Sequence, residues 1–224
     1  CALPISGRGA RVTLVERRPF LGGKAFSFDE PRTGTEIDNG QHVHLGCCTA
    51  YMALLARLGS LGLTALQPSL RVDVRDRAGT HGVLTSSRLP PPLHMGPSFA
   101  RYGLLTGPER VQATRALTAI AALGPRGRDA LDDVAFGDWL RAHGQRDAAI
   151  ERFWDVVILP TCNDRSDRVS AALAMFVLTE GLMRTRHGAS IGWALTGLSH
   201  LVDAPARWHL LRAGGQVVTG RAVD

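Results

Sequence analysis

An acid, a glycine pair and a cation stand close together in RVTLVERRPFLGGK, residues 11–24 of the chain. Glu16 ends a nearly unbroken apolar run, which is typical of a strand in a parallel sheet covered on both faces. In dinucleotide-binding βαβ units, an acid at the end of the second strand accepts hydrogen bonds from a ribose hydroxyl. Glycines let a backbone approach a ligand closely, and a neighbouring cation can meet a pyrophosphate. The stretch therefore predicts nucleotide binding, in preference to a plain turn at the glycine pair. The predicted binding residues are Glu16, Arg17, Gly22, Gly23 and Lys24.

The glycine fingerprint expected before such an acid has no counterpart in this sequence. It lies about 20 residues upstream of the acid, and counting back from Glu16 runs past the first residue. Gly7 and Gly9 are no substitute, because Val12 stands where the third glycine would be and no strand precedes them. Those glycines better suit the end of a helix and the turn into the strand. We therefore expect the chain to be a fragment that retains its nucleotide poorly.

Two histidines follow in DNGQHVH, residues 38–44, where they can share one face of a strand. A protein metal site needs a third or fourth converging ligand. No Asp, Glu, Cys or His recurs around His42 and His44 at ligand spacing. The adjacent Cys47 and Cys48 form neither a CxxC pair nor a disulfide framework. The pattern predicts no metal centre and reduced thiols.

Composition narrows the classes of function. The chain has 26 basic and 20 acidic residues, for a net charge of +6, but the basic residues are scattered, without a basic run or interleaved aromatic residues. That pattern disfavours nucleic-acid binding and leaves attraction to anionic lipid open. No apolar stretch approaches the ~18 residues of a membrane-spanning helix.

The secondary-structure elements predicted to position these residues differ along the chain, from short strands near its start to helices in its middle. Short strand patterns lead to a helix predicted over 49–58, with Thr49 as its N-cap. A β-ribbon is predicted within 70–86, and the prolines of 89–97 predict a loop. From Pro108 onward, apolar residues recur at helical spacing over 108–123, 136–143, 145–153 and 168–183.

The end of the chain returns to an α/β pattern, because residues 201–219 predict a helix, a glycine turn and a strand. The predicted fold class is therefore α/β, a partial Rossmann-like three-layer domain with a mostly helical α+β insert. The partial nucleotide-binding domain is assigned to 1–66 and 198–224, and the insert to 67–197. Such inserts commonly supply a substrate lid or cavity, which is an analogy at the level of the fold.

Several motifs resemble the flavoprotein superfamily of amine oxidases and phytoene desaturases. They are E-x5-GG-[RK] from Glu16 to Lys24, DNGQH at 38–42, FGDWL at 136–140 and ERFWD at 151–155. Within that superfamily the chain is similar to the hydroxysqualene dehydroxylases, also described as squalene-associated FAD-dependent desaturases. The resemblance implies FAD as the cofactor, and it implies that a C-terminal flavin-binding segment is missing. Lys24 stands where arginine is usual, which keeps the charge but loses a bidentate fork.

The resemblance also assigns roles to residues in DNGQH. It adds Asn39, Gly40 and Gln41 to the cofactor-binding residues and places this segment beside the flavin ring. His42 is accordingly the candidate catalytic residue, as a hydrogen-bond partner of the flavin or as a proton donor. Packing within a buried strand is the alternative for His42, and His44 is expected to be structural.

The implied activity of the parent protein is the reduction of hydroxysqualene to squalene in hopanoid synthesis, and the fragment itself is expected to be inactive. The enzymatic alternative is a carotenoid (phytoene) desaturase or an amine oxidase, and the alternative from another class is a non-catalytic lipid-binding remnant. The substrate would be an apolar isoprenoid, with no nucleic acid bound. Because such a substrate resides in the bilayer, we expect a bacterial cytoplasmic protein in peripheral contact with the inner face of the cell membrane. The predicted contact is the loop 89–98 with Phe99 and Tyr102.

Overall fold

The computed structural model describes residues 2–223, which form short strands and helices. The strands are β1 (Thr13–Glu16), β2 (Ser27–Asp29), β3 (Glu36–Asp38), β4 (Val43–Leu45), β5 (Thr64–Leu66), β6 (Arg71–Arg75), β7 (His81–Thr85), β8 (Ile191–Ala194) and β9 (Gln216–Thr219). The α-helices are α1 (Ala2–Ser6), α2 (Thr49–Leu58), α3 (Gly96–Ala100), α4 (Gly107–Ala122), α5 (Pro125–Asp129), α6 (Phe136–Ala142), α7 (Asp147–Ala149), α8 (Asp155–Cys162), α9 (Ala171–Val177) and α10 (Leu198–Arg212). Two 3₁₀ turns (Leu61–Leu63 and Leu93–Met95) and two π-helical turns (Ile150–Trp154 and Leu178–Met183) complete the elements.

The chain forms two compact units. The first contains the residues up to His44, Cys48–Leu66, and the residues from Gly192 onward. The second contains Leu45–Cys47 and Gln67–Ile191. The mixture of helices and strands agrees with the predicted α/β fold class.

The first unit contains a parallel pair of strands, β1 and β9, with Glu16 opposite Thr219. The apolar run of β1 is held in place because Leu14 packs into a hydrophobic cluster beneath the strand pair. Gly215 turns α10 into β9 at a point where a Cβ atom would stand 2.7 Å from the carbonyl oxygen of Val12. Only glycine fits there. The predicted helix, glycine turn and strand at the end of the chain are confirmed.

Two antiparallel pairings complete the strands of this unit. Strands β2 and β3 form a hairpin in which Ser27 faces Asp38, and β5 pairs with β8 in a sheet of order β4–β8–β5. Helix α2 follows β4, and its N-cap residue is Cys48, without a side-chain capping bond. The prediction that Thr49 caps this helix is wrong, because Thr49 is already the first helical residue.

The second unit is built on buried aromatic side chains. Tyr102, Phe136 and Trp154 are fully buried, and the ring of Phe153 lies 5.9 Å from Tyr102 and 5.0 Å from Trp154, measured between centroids. Burial raises the pKa of Tyr102 to about 12. The β6–β7 ribbon, which was predicted, passes over this cluster at Gly82, where a Cβ atom would stand 2.6 Å from the Tyr102 ring.

The proline-rich segment differs from its prediction. Its second half is helical, with the 3₁₀ turn Leu93–Met95 leading into α3. Pro97 is tolerated because the first turn of a helix has no partner for its N–H groups. Phe99 and Tyr102 are buried, since their rings join the aromatic core. The prediction that these two side chains contact a membrane is therefore wrong.

Candidate functional site

Glu16 ends strand β1 at the carboxyl edge of the parallel pair, the edge at which α/β folds bind their ligands. Its side chain is half-buried, and one carboxylate oxygen accepts a hydrogen bond of 2.9 Å from the backbone N–H of Arg18. A carboxylate has about four acceptor positions. Glu16 is thus oriented by the chain and can accept further bonds from a ligand.

The glycine pair forms a loop with an open backbone. Gly22 has a φ of +108°, and a Cβ atom there would stand 2.8 Å from the carbonyl oxygen of Ala25. Gly23 has a φ of +63° and nothing within 4 Å of its Cβ position. Gly22 is therefore required by the loop itself, while Gly23 leaves room for a ligand. Lys24 is exposed beside it.

Arg18 braces this loop, a role that the sequence reasoning missed. Its Nη1 donates a hydrogen bond of 2.8 Å to the carbonyl oxygen of Gly23. Its guanidinium lies 5.8 Å from the ring centroid of Phe20 and 5.6 Å from that of Phe26, and the two rings stack on each other. The neighbouring Arg17, which was predicted to bind the cofactor, is exposed. The available signal was the pair of phenylalanines flanking the glycines, since arginine stacks on aromatic faces.

The β2–β3 hairpin brings the DNGQH segment to the glycine loop. The Asn39 backbone N–H donates to the carbonyl oxygen of Phe26 at 2.8 Å. The Asn39 side-chain amide donates to the carbonyl oxygen of Lys24 at 2.9 Å. Gly40 has a φ of +82° and open space at its Cβ position. Two of the predicted cofactor-binding stretches are therefore joined directly, with Gln41 exposed at the end of the second.

Asp38 fixes this arrangement and was not among the predicted site residues. One carboxylate oxygen accepts hydrogen bonds from the Ser27 hydroxyl at 2.7 Å and from the Leu198 backbone N–H at 3.0 Å. Leu198 is the first residue of α10, so the charge lies where a helix N-terminus stabilises an anion. Asp38 thereby ties the hairpin to α10.

His42 is exposed, and its Nδ1 lies 2.9 Å from the carbonyl oxygen of Gly40. A carbonyl oxygen only accepts, so Nδ1 carries the proton in this contact. In the neutral ring, Nε2 is then an unprotonated acceptor. His42 can therefore hold a proton at Nε2 while its orientation is kept by the Gly40 contact.

His42 also lines a cavity of about 290 Å³ in the first unit. Its walls are mostly apolar and come from Ala25, His42, Val43, His44, Cys48, Tyr51, Thr64, Ala194, Leu198 and Leu201. The ring of His44 packs edge-on against Tyr51 at 5.3 Å, and burial lowers the pKa of His44. Gly192 leaves space for that ring, since a Cβ atom on it would overlap His44. His44 is thus a neutral wall residue.

The second unit encloses a larger cavity of about 630 Å³. Both π-helical turns contribute to its walls, with Phe153 from the first and Leu178, Leu182 and Met183 from the second. Residues of α3 and α4 also line it. Interruptions of this kind in helices are frequent at functional sites.

The polar groups on the wall of this cavity are bonded to the protein itself. Arg110 donates to the carbonyl oxygens of Tyr102 and Leu105 at 3.0 and 2.7 Å. The hydroxyls of Thr114 and Thr118 donate to carbonyl oxygens one turn earlier in α4, at 2.8 and 2.9 Å. Apart from the charged Arg110 guanidinium, a ligand in this cavity meets mostly apolar side chains.

Two further observations bear on the chemistry of the chain. Within residues 2–223, no group of three His, Cys, Asp or Glu side chains is placed to hold a metal ion. Asp155, the last residue of the ERFWD motif, accepts hydrogen bonds from the backbone N–H and hydroxyl of Ser166 at 2.9 and 2.6 Å. Asp155 therefore caps a turn.

An acid at the edge of a parallel strand pair, next to an open glycine loop, is the arrangement expected of a nucleotide-binding α/β unit. The profile of the family described as flavin containing amine oxidoreductase matches residues 1–224. The chain belongs to that family of oxidoreductases, and the cofactor of the family is FAD.

Similar curated proteins are carotene desaturases. The chain is 30% identical over 227 residues to the zeta-carotene desaturase, chloroplastic/chromoplastic, of Zea mays, covering 96% of the chain and 39% of that protein. A probable zeta-carotene desaturase of Synechococcus elongatus is 26% identical over 166 residues, covering 70% of the chain and 34% of that protein. The chain thus spans about two fifths of the length of the maize relative.

Solved structures share the fold. A putrescine oxidase bound to putrescine has a TM-score of 0.63 at 18% identity, with 98% of this chain and 48% of that chain covered. An oxidoreductase from Methanosarcina mazei has a TM-score of 0.59 at 15% identity, with 98% and 48% covered. At these identities the likeness concerns the fold alone.

The residues of the first unit fit FAD. Gly23 and Gly40 present open backbone at positive φ, which lets a phosphate or a flat ring approach closely. Glu16 would hold a ribose hydroxyl, and the exposed Lys24 would meet the pyrophosphate. Asn39 would keep the two stretches together, through bonds that it already makes to Lys24 and Phe26.

Proposed function

We propose that this chain is part of an FAD-dependent desaturase that acts on a carotene-type polyene. The observation that carries the proposal is the 30% identity with a zeta-carotene desaturase over 96% of the chain. This relationship favours the carotenoid desaturase alternative over the assignment to the hydroxysqualene dehydroxylases, which rests on sequence motifs. Since only 39% of that relative is covered, the activity is proposed for the whole protein to which these residues belong.

The cavity of the second unit supports an apolar substrate. Burying an amine or ammonium group without a partner is strongly unfavourable. The polar groups of the cavity wall donate to the protein's own carbonyl oxygens, and a polyene needs no hydrogen bonds. The wall of this cavity therefore suits a hydrocarbon better than a polyamine.

Desaturation removes two hydrogens from adjacent carbons, so the site must take up a hydride equivalent and a proton. A bound FAD would supply the acceptor for the hydride, which carries both electrons. His42 would hold the proton at Nε2, because its Nδ1–H is engaged by the Gly40 carbonyl oxygen at 2.9 Å. Glu16 and Lys24 would bind the cofactor, and the mostly apolar cavity that His42 lines would exclude water from the reacting carbons.

Reductive dehydroxylation of hydroxysqualene is the second candidate, and the motifs DNGQH and ERFWD favour it. It differs from desaturation in the direction of electron flow. A desaturase reduces its flavin at the expense of the substrate, whereas the dehydroxylase oxidises a reduced flavin. Peripheral location on the inner face of a bacterial membrane remains a prediction for either activity.

Anaerobic flavin spectroscopy tests the proposal. The FAD-loaded protein is mixed with ζ-carotene, hydroxysqualene or putrescine, starting once from oxidised and once from reduced flavin, and products are identified by mass. We expect ζ-carotene to bleach the oxidised flavin and to gain a double bond. Reoxidation of reduced flavin by hydroxysqualene would instead establish the second candidate, and bleaching by putrescine would overturn both.

A further inference from the structure

Three side chains of the second unit carry buried polar atoms that have no hydrogen-bond partner within residues 2–223. His94 and Ser190 are fully buried, yet both ring nitrogens of His94 and the hydroxyl of Ser190 are unpartnered. The Nε of Arg186 is enclosed and unpartnered as well. No other buried side-chain nitrogen or oxygen of the described residues is in this state. Because buried polar groups are almost always satisfied by protein, water or an ion, these atoms indicate a bound group.

Two of the three residues lie on one loop, 184–190, which follows the second π-helical turn. The loop folds back on that turn, because a Cβ atom on Gly188 would stand 2.7 Å from the carbonyl oxygen of Gly181. The other end of the loop is held by a hydrogen bond of 2.9 Å, which the Gly46 N–H donates to the carbonyl oxygen of Ser190. The loop is therefore anchored at two points, and its unpartnered atoms are held in fixed positions.

His94 lies on the 3₁₀ turn Leu93–Met95, near the charge on this loop. Burial is the main cause that lowers the pKa of His94, and the positive charge of Arg186 lowers it further. The backbone of Leu182, in the second π-helical turn, acts in the opposite direction. His94 is therefore close to both Arg186 and Leu182, and its ring is neutral at neutral pH.

The charge of Arg186 has no counterion in the part of the chain that the structure describes. Loop 184–190 contains two arginines and a histidine but no acid. Arg184 pairs with Glu180 at 2.6 Å, whereas none of the ion pairs within residues 2–223 includes Arg186. A partly buried guanidinium without an opposite charge is unfavourable. A bound anion would remove this cost.

The groups at this place can all donate hydrogen bonds. The Arg186 Nε–H only donates, the Ser190 hydroxyl can donate, and neutral His94 donates from one ring nitrogen. We propose that Arg186, His94 and Ser190 bind a small monovalent anion of the size of chloride. The ion is small and singly charged because burying each further charge costs more. It joins the loop to the segments behind Leu182 and Met183, which line the cavity of about 630 Å³.

Bromide tests the site directly, because it is close to chloride in size and has an anomalous X-ray signal. Crystals of the whole protein are soaked in sodium bromide, and an anomalous peak is expected in contact with the Arg186 Nε and the Ser190 Oγ. A peak without anomalous signal would identify an ordered water. That outcome, or the absence of any peak, would overturn the proposal.

Thermal unfolding of the whole protein measures the affinity in solution, at about pH 8, where histidine is neutral. Sodium chloride replaces sodium gluconate at constant ionic strength, so that screening stays the same. We expect the Tm to rise with chloride and then to level off, because the ion binds the folded chain only. Arg186→Gln should weaken the apparent affinity for chloride by roughly 10–100-fold, and Ser190→Ala should weaken it by about 2–10-fold.

Arg184→Gln is the matched control, because it removes the same charge from the same loop at an exposed position. Its apparent affinity for chloride should differ from that of the native protein by less than about twofold. A Tm that does not depend on chloride would overturn the proposal, as would equal losses of affinity in Arg184→Gln and Arg186→Gln. Neither measurement depends on FAD turnover or substrate, so failure of this site is distinguishable from failure of the proposed function.

Discussion

Replacing Arg18 by methionine should loosen the glycine loop and weaken FAD binding. The side chain makes two kinds of contact with the loop, the 2.8 Å hydrogen bond to the Gly23 carbonyl oxygen and the stacking over Phe20 and Phe26. The hydrogen bond is exposed to solvent, so it contributes about 0.5–1 kcal/mol. Stacking at an exposed site contributes about 0.5–1 kcal/mol more.

These two contributions determine the expected change in the affinity for FAD. If the loop must be ordered before it accepts the pyrophosphate, a loss of about 1–2 kcal/mol raises the Kd for FAD by roughly 5–30-fold. Arg18→Lys keeps the charge but loses the planar fork, so its Kd should fall between those of the native protein and Arg18→Met. Fluorescence titration of FAD against each variant of the whole protein measures the change.

Arg17 provides the matched control, because it is adjacent to Arg18, is exposed, and was predicted from the sequence to bind the cofactor. Arg17→Met should change the Kd by less than about twofold, as expected for an exposed charge screened by salt. The bracing argument would be refuted if Arg17→Met weakened FAD binding as much as Arg18→Met. An unchanged Kd in Arg18→Met would refute it equally.

Three further outcomes are expected. Glu16→Gln should weaken FAD binding by roughly 10–100-fold in equilibrium dialysis, because a charge-assisted hydrogen bond contributes about 1.5–3 kcal/mol; unchanged affinity would remove the ribose assignment. His42→Gln should slow flavin reduction by the substrate about 10²–10⁴-fold in anaerobic stopped-flow while FAD remains bound; a lower Tm with an unaffected rate would leave only a packing role. Burial, with a smaller contribution from Arg186, lowers the pKa of His94 below its ordinary 6.5, so the unfolded chain takes up the proton first. The free energy of unfolding should keep its full value above pH ~6.5 and should fall as the pH drops below it, by at most about 1.4 kcal/mol per pH unit. His94→Leu should flatten this dependence in urea titrations. Parallel curves for both proteins would contradict the argument.

Local patterns explain what the sequence predicted well. An apolar run ending in Glu16, the helix and glycine turn before β9, and the β6–β7 ribbon depend on neighbours within a few residues. Periodicity and turn chemistry report on such neighbours. The same applies to α4, which was predicted over 108–123 and spans Gly107–Ala122, with a proline in its first turn.

Contacts between distant residues explain what was missed. The role of Asp38 depends on Leu198, which lies 160 positions away. No local pattern in either segment indicates that these two residues are in contact. Choosing Arg18 over Arg17 required knowing that Phe20 and Phe26 stack on each other. Phe99 resembles a membrane anchor in sequence, but its ring packs 4.9 Å from that of Phe153.

The bond between Asp38 and α10 also fixes the order in which the cofactor site can form during synthesis. The hairpin that carries Asn39 and Gly40 cannot reach its final position until Leu198 has been made, 160 residues after Asp38. At about 5–20 residues per second, that interval lasts roughly 8–32 s. Within that interval the chain synthesises Gln67–Ile191, which contain the helices of the second unit. Every wall residue of the second unit's cavity, Met183 being the last, is thus made before Leu198, so the residues of the apolar cavity are complete before those of the cofactor site.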